Sequence, residues 1–219
     1  MWAQTSLRGL RGGKVLLVTA HPDDETLFFA PLILAAPADT SILCLSTGDA
    51  YGLGTMRTEE LFAATQSLGI PRDQVQIMDH PDCRDGMTTH WSLRAICQAV
   101  EGYIQKIQPA FVVSFDEYGV SGHVNHIDVS KGVQQVRVRV KELQPHIIFL
   151  QLQSCCFFRK FIGIFDIIPS LLLEEHLVLN FNVWRVFYAL LLHRTQITWY
   201  RILFVMFSKF TYVNTFKEL

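Results

Sequence analysis

Residues 14–25 read KVLLVTAHPDDE, and this stretch decides the fold. Val15 to Val18 form an unbroken apolar run, and His21, Pro22, Asp23, Asp24 and Glu25 follow it almost at once. A run without apolar-polar alternation suits a strand buried on both faces of a parallel sheet. Pro22 fixes its own φ, and the aspartates stand where a helix N-terminus would begin. The segment therefore spells strand, turn, helix. A capped helix start needs one short polar side chain, however, and not a histidine beside three consecutive acids. So much like charge at one point is costly unless a cation is shared.

The same alternation continues outward. Residues 41–47, 75–78, 110–115 and 146–153 are further β-branched-rich runs. Helical patterns occupy 25–36, 56–68, 91–107 and 125–143, with Pro31 placed to kink the first. The repeat predicts an open, mostly parallel, Rossmann-like α/β sheet with helices on both faces. Ligands of such sheets bind in the crevice beyond the carboxyl ends of the strands. Chemistry should therefore sit just after each run.

Composition narrows the function. The 219 residues are 50% apolar and only 18% charged, which excludes a disordered chain. A net charge of −1 offers no basic field, so nucleic acid is not an expected partner. Cys44, Cys83, Cys97, Cys155 and Cys156 are odd in number and form no C-x-x-C, which points to free thiols in a reducing compartment. Residues 1–13 contain no apolar core of a secretory signal. The longest stretch free of Asp, Glu, Lys and Arg, residues 143–158, is too short and too polar to span ~30 Å of hydrocarbon.

The chain changes character after residue 155. Eleven of the 16 phenylalanines lie at or beyond Phe149, and five cations follow Glu175 against one acid, Glu218. The expected organisation is a catalytic domain over 14–155 and a helical, aromatic and basic segment over 156–219. That segment either packs on the core or lies on a membrane surface, apolar side inward and cations toward anionic head groups.

Two clusters carry the chemistry. His21 and Asp24 can converge on one metal across the turn, with Asp23 pointing into the crevice. After the run 110–115 come Asp116, a glycine turn, and His123 and His126 at a spacing that shares one helix face. Two histidines and a carboxylate with an open fourth position form the ligand set of a catalytic zinc site. Arg57 follows a glycine-containing loop and can contact a substrate hydroxyl or phosphate, or simply lie exposed in a helix's first turn. Asp79-His80-Pro81-Asp82 offers Asp82 for a sugar hydroxyl. Asp116 can hold a ligand histidine or cap its own loop. Glu25 can order the metal ligands from behind, or favour the helix dipole.

These motifs resemble the LmbE-like family of zinc-dependent de-N-acetylases of N-acetylglucosamine conjugates. The resemblance extends through VTAHPDDETLFFAP, Gly54-x-x-Arg57-x-x-Glu60-Leu61, Leu68-Gly69-Ile70-Pro71 and Phe115-Asp116-x-x-Gly119-Val120-Ser121-Gly122-His123-x-Asn125-His126. Leu150 to Ser154, Arg159-Lys160 and His193-Arg194-Thr195-Gln196-x-x-Trp199-Tyr200-Arg201 are similar to the tail of its lipid-linked branch. That branch acts on N-acetylglucosaminyl-phosphatidylinositol, early in glycosylphosphatidylinositol anchor synthesis. The resemblance implies His21, Asp24 and His126 as ligands of zinc or another divalent metal, Asp23 as general base and His123 as the electrophilic or acid partner. Either Asp23 or His123 would protonate the leaving amine. It also implies work at the cytosolic face of the endoplasmic reticulum membrane. The branch usually carries an apolar anchor ahead of the first strand, and the 13 residues before that strand contain none, so attachment is expected to be peripheral.

Overall fold

In the structure, a computed structural model, residues 3–5, 10 and 12–219 are described. The expectation that residues 1–13 lack a signal or anchor lies largely outside them. Among the described residues the strands are β1 (Ala3–Thr5), β2 (Val15–Thr19), β3 (Thr40–Cys44), β4 (Val75–Ile77), β5 (Phe111–Phe115), β6 (Ile148–Leu152), β7 (His176–Asn180) and β8 (Val213–Glu218). They form one sheet in the order β1-β7-β8-β6-β5-β2-β3-β4.

The five strands from β6 to β4 are parallel. β2 and β5 are buried along their whole lengths, as their unbroken apolar runs require. β2 is followed by β3 on one side and paired with β5 on the other, Leu17 facing both Ile42 and Val113. The strand order reverses here, and a crevice opens beyond the carboxyl ends of β2 and β5.

The helices are α1 (Asp24–Leu27), α2 (Ala30–Ala35), α3 (Gly54–Leu68), α4 (Leu93–Ile107), α5 (Gly119–Gly122), α6 (Val124–Leu143), α7 (Phe157–Phe161), α8 (Ile167–Leu173), α9 (Val183–Leu192) and α10 (Trp199–Phe207). Helix α4 packs on α6, α3 packs on α9, and the two groups cover the sheet. The helical pattern of 25–36 is two helices, because Pro31 lies in the first turn of α2, where its missing N–H costs nothing.

Residues 156–219 are more than a helical appendage. They add β7 and β8, which extend the sheet antiparallel beside β6. Val186, Leu190, Val205, Phe210 and Phe216 join the same buried core as the parallel strands. At ~1.5–3 kcal/mol for each large apolar side chain removed from water, these residues help hold the whole sheet together. His176–Asn180 is short and lies between two helices, and Val213–Glu218 follows a helical turn, so the sequence alone does not single them out.

The outer side of this segment inverts the usual rule. Phe157, Phe158, Phe165, Leu172 and Leu173 are exposed, while Asp166 and Lys209 of the same segment are buried. Asp166 pairs with Arg159 Nε at 2.8 Å and with Lys209 Nζ at 3.0 Å, and Ser170 Oγ donates to it at 2.7 Å. Charge is satisfied inside and apolar surface is turned out.

Candidate active site

The crevice gathers both sequence clusters. Asp24 begins α1, and its Oδ2 accepts the backbone N–H groups of Ala20 and His21 at 3.0 and 2.8 Å. Its other oxygen lies 3.1 Å from His126 Nε2. His126 comes from the first turn of α6, with its ring stacked on Phe115 at 4.2 Å and its Nδ1 3.0 Å from the Gly119 carbonyl. His123 caps α6, and its Nδ1 accepts the Asn125 N–H at 3.2 Å. His21 turns its Nε2 toward Asn125 Oδ1 at 3.1 Å and Asp85 Oδ1 at 3.2 Å.

These partners assign the protons. His126 donates from Nδ1, so its Nε2 carries a lone pair toward Asp24, and two acceptors 3.1 Å apart need a cation or a proton between them. His21 donates from Nε2, and its Nδ1 faces Asp24 Oδ2 at 3.8 Å. His123 accepts at Nδ1, so its Nε2 is the N–H end. Ring nitrogens of His21, His123 and His126 lie within 4.8 Å of one another and can hold a metal ion. The imidazole and carboxylate donors fit a borderline divalent metal.

The electrostatics agree. Burial works against a charged Asp24, but His126 and His21 outweigh it and hold the carboxyl well below its usual range. Burial, and then His21 and His126, push the His123 pKa down to about 4. His21 is raised, because Asp85, Asp24 and Asp23 overcome the effect of its burial.

Asp23 is held from several sides. It is buried and adopts φ 122°, a strained backbone for a residue with a Cβ. Its N–H donates to Glu25 Oε2 at 3.0 Å, and its Oδ2 lies 2.9 Å from Arg201 Nη2 and 3.7 Å from Arg57 Nη2. Burial raises its pKa, Asp24 adds to the rise, and the two guanidinium groups oppose it. A carboxylate shifted toward neutrality suits proton transfer.

The remaining expected residues take more specific places. Glu25 is fully buried in the first turn of α1, and its Oε1 meets His193 Nε2 at 2.7 Å. Arg57 is buried and gives its donors to the Gly48 and Pro22 carbonyls at 2.7 and 2.8 Å and to Asp85 at 3.2 Å. In this arrangement it ties three loops together. Asp82 is exposed on its loop, and it is Asp85, three residues on, that reaches His21. Asp116 spends its carboxylate on Ser154 and the Tyr118 N–H, while the Gly119 carbonyl holds His126. Asp85, His193 and Arg201 join the site without a metal motif of their own in the sequence. Only the H-R-T-Q…W-Y-R similarity bears on the last two, and nothing in D-C-R-D-G separates Asp85 from Asp82.

Known proteins share this arrangement of chain. The bovine protein named N-acetylglucosaminyl-phosphatidylinositol de-N-acetylase is 34% identical over 96% of this chain and 86% of its own length. A Dictyostelium discoideum protein named as a probable enzyme of the same kind is 31% identical over 94% of this chain and 93% of its own. Among solved structures, the N,N'-diacetylchitobiose deacetylase of Pyrococcus horikoshii superposes with a TM-score of 0.63 over 94% of this chain and 84% of its own, at 15% identity, and so shares the fold. Residues 16–137, from the first parallel strand through most of α6, match the family described as PIG-L: GlcNAc-PI de-N-acetylase, and the chain belongs to that family.

Proposed function

We propose that the chain hydrolyses the acetamide of N-acetylglucosaminyl-phosphatidylinositol to glucosaminyl-phosphatidylinositol and acetate, an early step of glycosylphosphatidylinositol anchor synthesis. The observation that carries this reading is the pair of facing acceptors, Asp24 Oδ1 and His126 Nε2, beside a strained and buried Asp23. His21, Asp24 and His126 would hold zinc through Nδ1, Oδ1 and Nε2. When bound there, zinc supplies a Lewis acid that makes water acidic enough to attack an amide near neutral pH.

The chain's own residues do the rest. Asp23 takes the proton of the attacking water. His123 donates its Nε2–H to the carbonyl oxygen as negative charge develops there. When the C–N bond breaks, Asp23 returns its proton to the departing amine nitrogen. The His123 N–H is already given to the oxygen, which leaves that last transfer to Asp23.

The lipid substrate and a membrane location draw support from the tail. Among the described residues no helix is long and apolar enough to cross a membrane, so attachment through this part would be interfacial. Exposed Trp184, Trp199 and Tyr200 lie on the same segment as the exposed phenylalanines and leucines, a composition suited to a lipid-water boundary. The five cysteines are free, which fits the reducing, cytosolic side of the endoplasmic reticulum membrane.

Acetate release by zinc-loaded protein from detergent-dispersed N-acetylglucosaminyl-phosphatidylinositol and from a water-soluble N-acetylglucosamine conjugate tests the reading. Turnover of the glycolipid alone supports it. Turnover of the soluble compound alone retains the chemistry and discards the lipid substrate.

A further inference from the structure

The segment His193-Arg194-Thr195-Gln196…Arg201 lies far along the chain from the metal motifs, yet its polar groups converge on them. His193 Nε2 meets Glu25 Oε1 at 2.7 Å, and Glu25 Oε2 accepts the Asp23 N–H at 3.0 Å. Thr195 gives its N–H and hydroxyl to the two oxygens of Glu60 on α3, at 2.8 and 2.6 Å. Gln196 donates to Thr195 Oγ1 at 3.0 Å and accepts from Arg201 Nη1 through both its carbonyls, at 2.8 and 2.7 Å. Arg201 Nη2 then reaches Asp23 Oδ2 at 2.9 Å.

Asp23 needs such support. A backbone at φ 122° persists only where its surroundings over-determine it. The hydrogen bonds that its carbonyl accepts from Thr26 and Leu27 fix that carbonyl and say nothing of where the carboxylate points. Residues 193–201 act on both other constraints: His193 shares Glu25 Oε1 with the Thr26 hydroxyl, and at the carboxylate Arg201 at 2.9 Å stands nearer than Arg57 at 3.7 Å.

We propose that residues 193–201 are a clamp on Asp23, in which Arg201 holds the carboxylate and His193, through Glu25, holds the backbone. Both are positioning residues. The proposal rests on the reading of Asp23 as the base, and it makes the tail an integral part of the active site, whatever surface the tail's outer side meets. It also accounts for the two-sidedness of α10. Arg201 turns inward to Asp23, while Trp199, Tyr200, Leu203 and Met206 are exposed.

The test compares Arg201→Ala and Arg201→Lys with the unaltered protein in glycolipid turnover, bound zinc, thermal midpoint and crystal structure. In Arg201→Ala, kcat is expected to fall about 10²-fold, the usual cost of a misplaced group, with KM, zinc content and thermal midpoint unchanged. Free guanidinium should restore part of the turnover, because Arg201 is partly solvent-exposed, and Arg201→Lys should keep part of it. Asp23 should shift, in backbone or carboxylate, in the Arg201→Ala crystal structure. An unchanged kcat, a rise in KM alone, or a loss in both variants that follows thermal midpoint and resists guanidinium would each overturn the clamp. If the unaltered protein releases acetate from neither substrate, the functional reading fails by itself. The position of Asp23 in Arg201→Ala then decides the clamp, and an unmoved Asp23 refutes it.

Discussion

His193 Nε2 and Glu25 Oε1 lie 2.7 Å apart, and neither side chain has any solvent exposure. A pair so buried is costly to form and more costly to break on one side, at about 3–5 kcal/mol. Glu25→Ala should therefore lower the urea midpoint sharply, while Glu25→Gln, which keeps an acceptor, should lower it less. Burial disfavours the charged His193 ring, but Glu25 and then Asp23 outweigh it and raise its pKa above 6.5. A raised folded-state value means that the pair's stabilisation is complete below that pH and is lost as pH climbs through the folded value. Unfolding free energy should thus fall toward alkaline pH in the unaltered protein and less so in His193→Gln. Equal slopes would remove His193 from the account.

Asp23→Asn is nearly isosteric, and asparagine tolerates positive φ better than most residues, so fold and metal should survive. Turnover should drop by roughly 10² to 10⁴, the worth of a positioned acid or base. Zinc analysis of the purified variant provides the check. Loss of zinc would make Asp23 a ligand and reassign the base.

The parallel half of the sheet and its two metal motifs were legible because local pattern and local chemistry coincide there. The run 15–18 ends directly at His21, and the run 111–115 ends at Asp116, so motif and strand end are neighbours in sequence as in space. Asp85, His193 and Arg201 were not legible in that way. Each reaches the crevice from an element whose own local pattern says nothing of the partner, 168 residues away for His193 and Glu25. The strands β7 and β8 were hidden for a related reason, since antiparallel pairing at the sheet edge depends on partners and leaves little mark on a short segment. His123 illustrates a third limit. Its identity could be read, but its lowered pKa depends on burial and on the two other rings beside it.

Gly119 is needed for two separate reasons. Its φ is +63°, and a Cβ there would lie 2.9 Å from His126 Cβ. Its carbonyl also fixes the His126 ring at 3.0 Å. Gly119→Ala should weaken metal binding by about 10- to 100-fold, as loss of a ligand's supporting partner does elsewhere. Competition against a chelator measures this, and an unchanged metal affinity would show that His126 is not a ligand or does not depend on this turn.

The outward apolar face of the tail yields the last expectation. A helical segment that meets water normally turns its charges out, yet here Arg159 and Lys209 both pair with Asp166, and Phe158 and Leu172 stand 81% and 79% exposed. Lipid reverses the usual preference, since apolar side chains gain there and unpaired charge does not. Phe158→Glu with Leu172→Glu should cut partitioning onto phosphatidylcholine vesicles by about tenfold or more, from ~1.5–3 kcal/mol for each large apolar group buried. Both sites face away from the buried cluster, so thermal midpoint and turnover of a soluble conjugate should hold while glycolipid turnover on vesicles falls. Vesicle flotation decides the matter. Equal flotation of the two proteins would mean that this face does not meet lipid, and the substrate's acyl chains would then have to be met elsewhere.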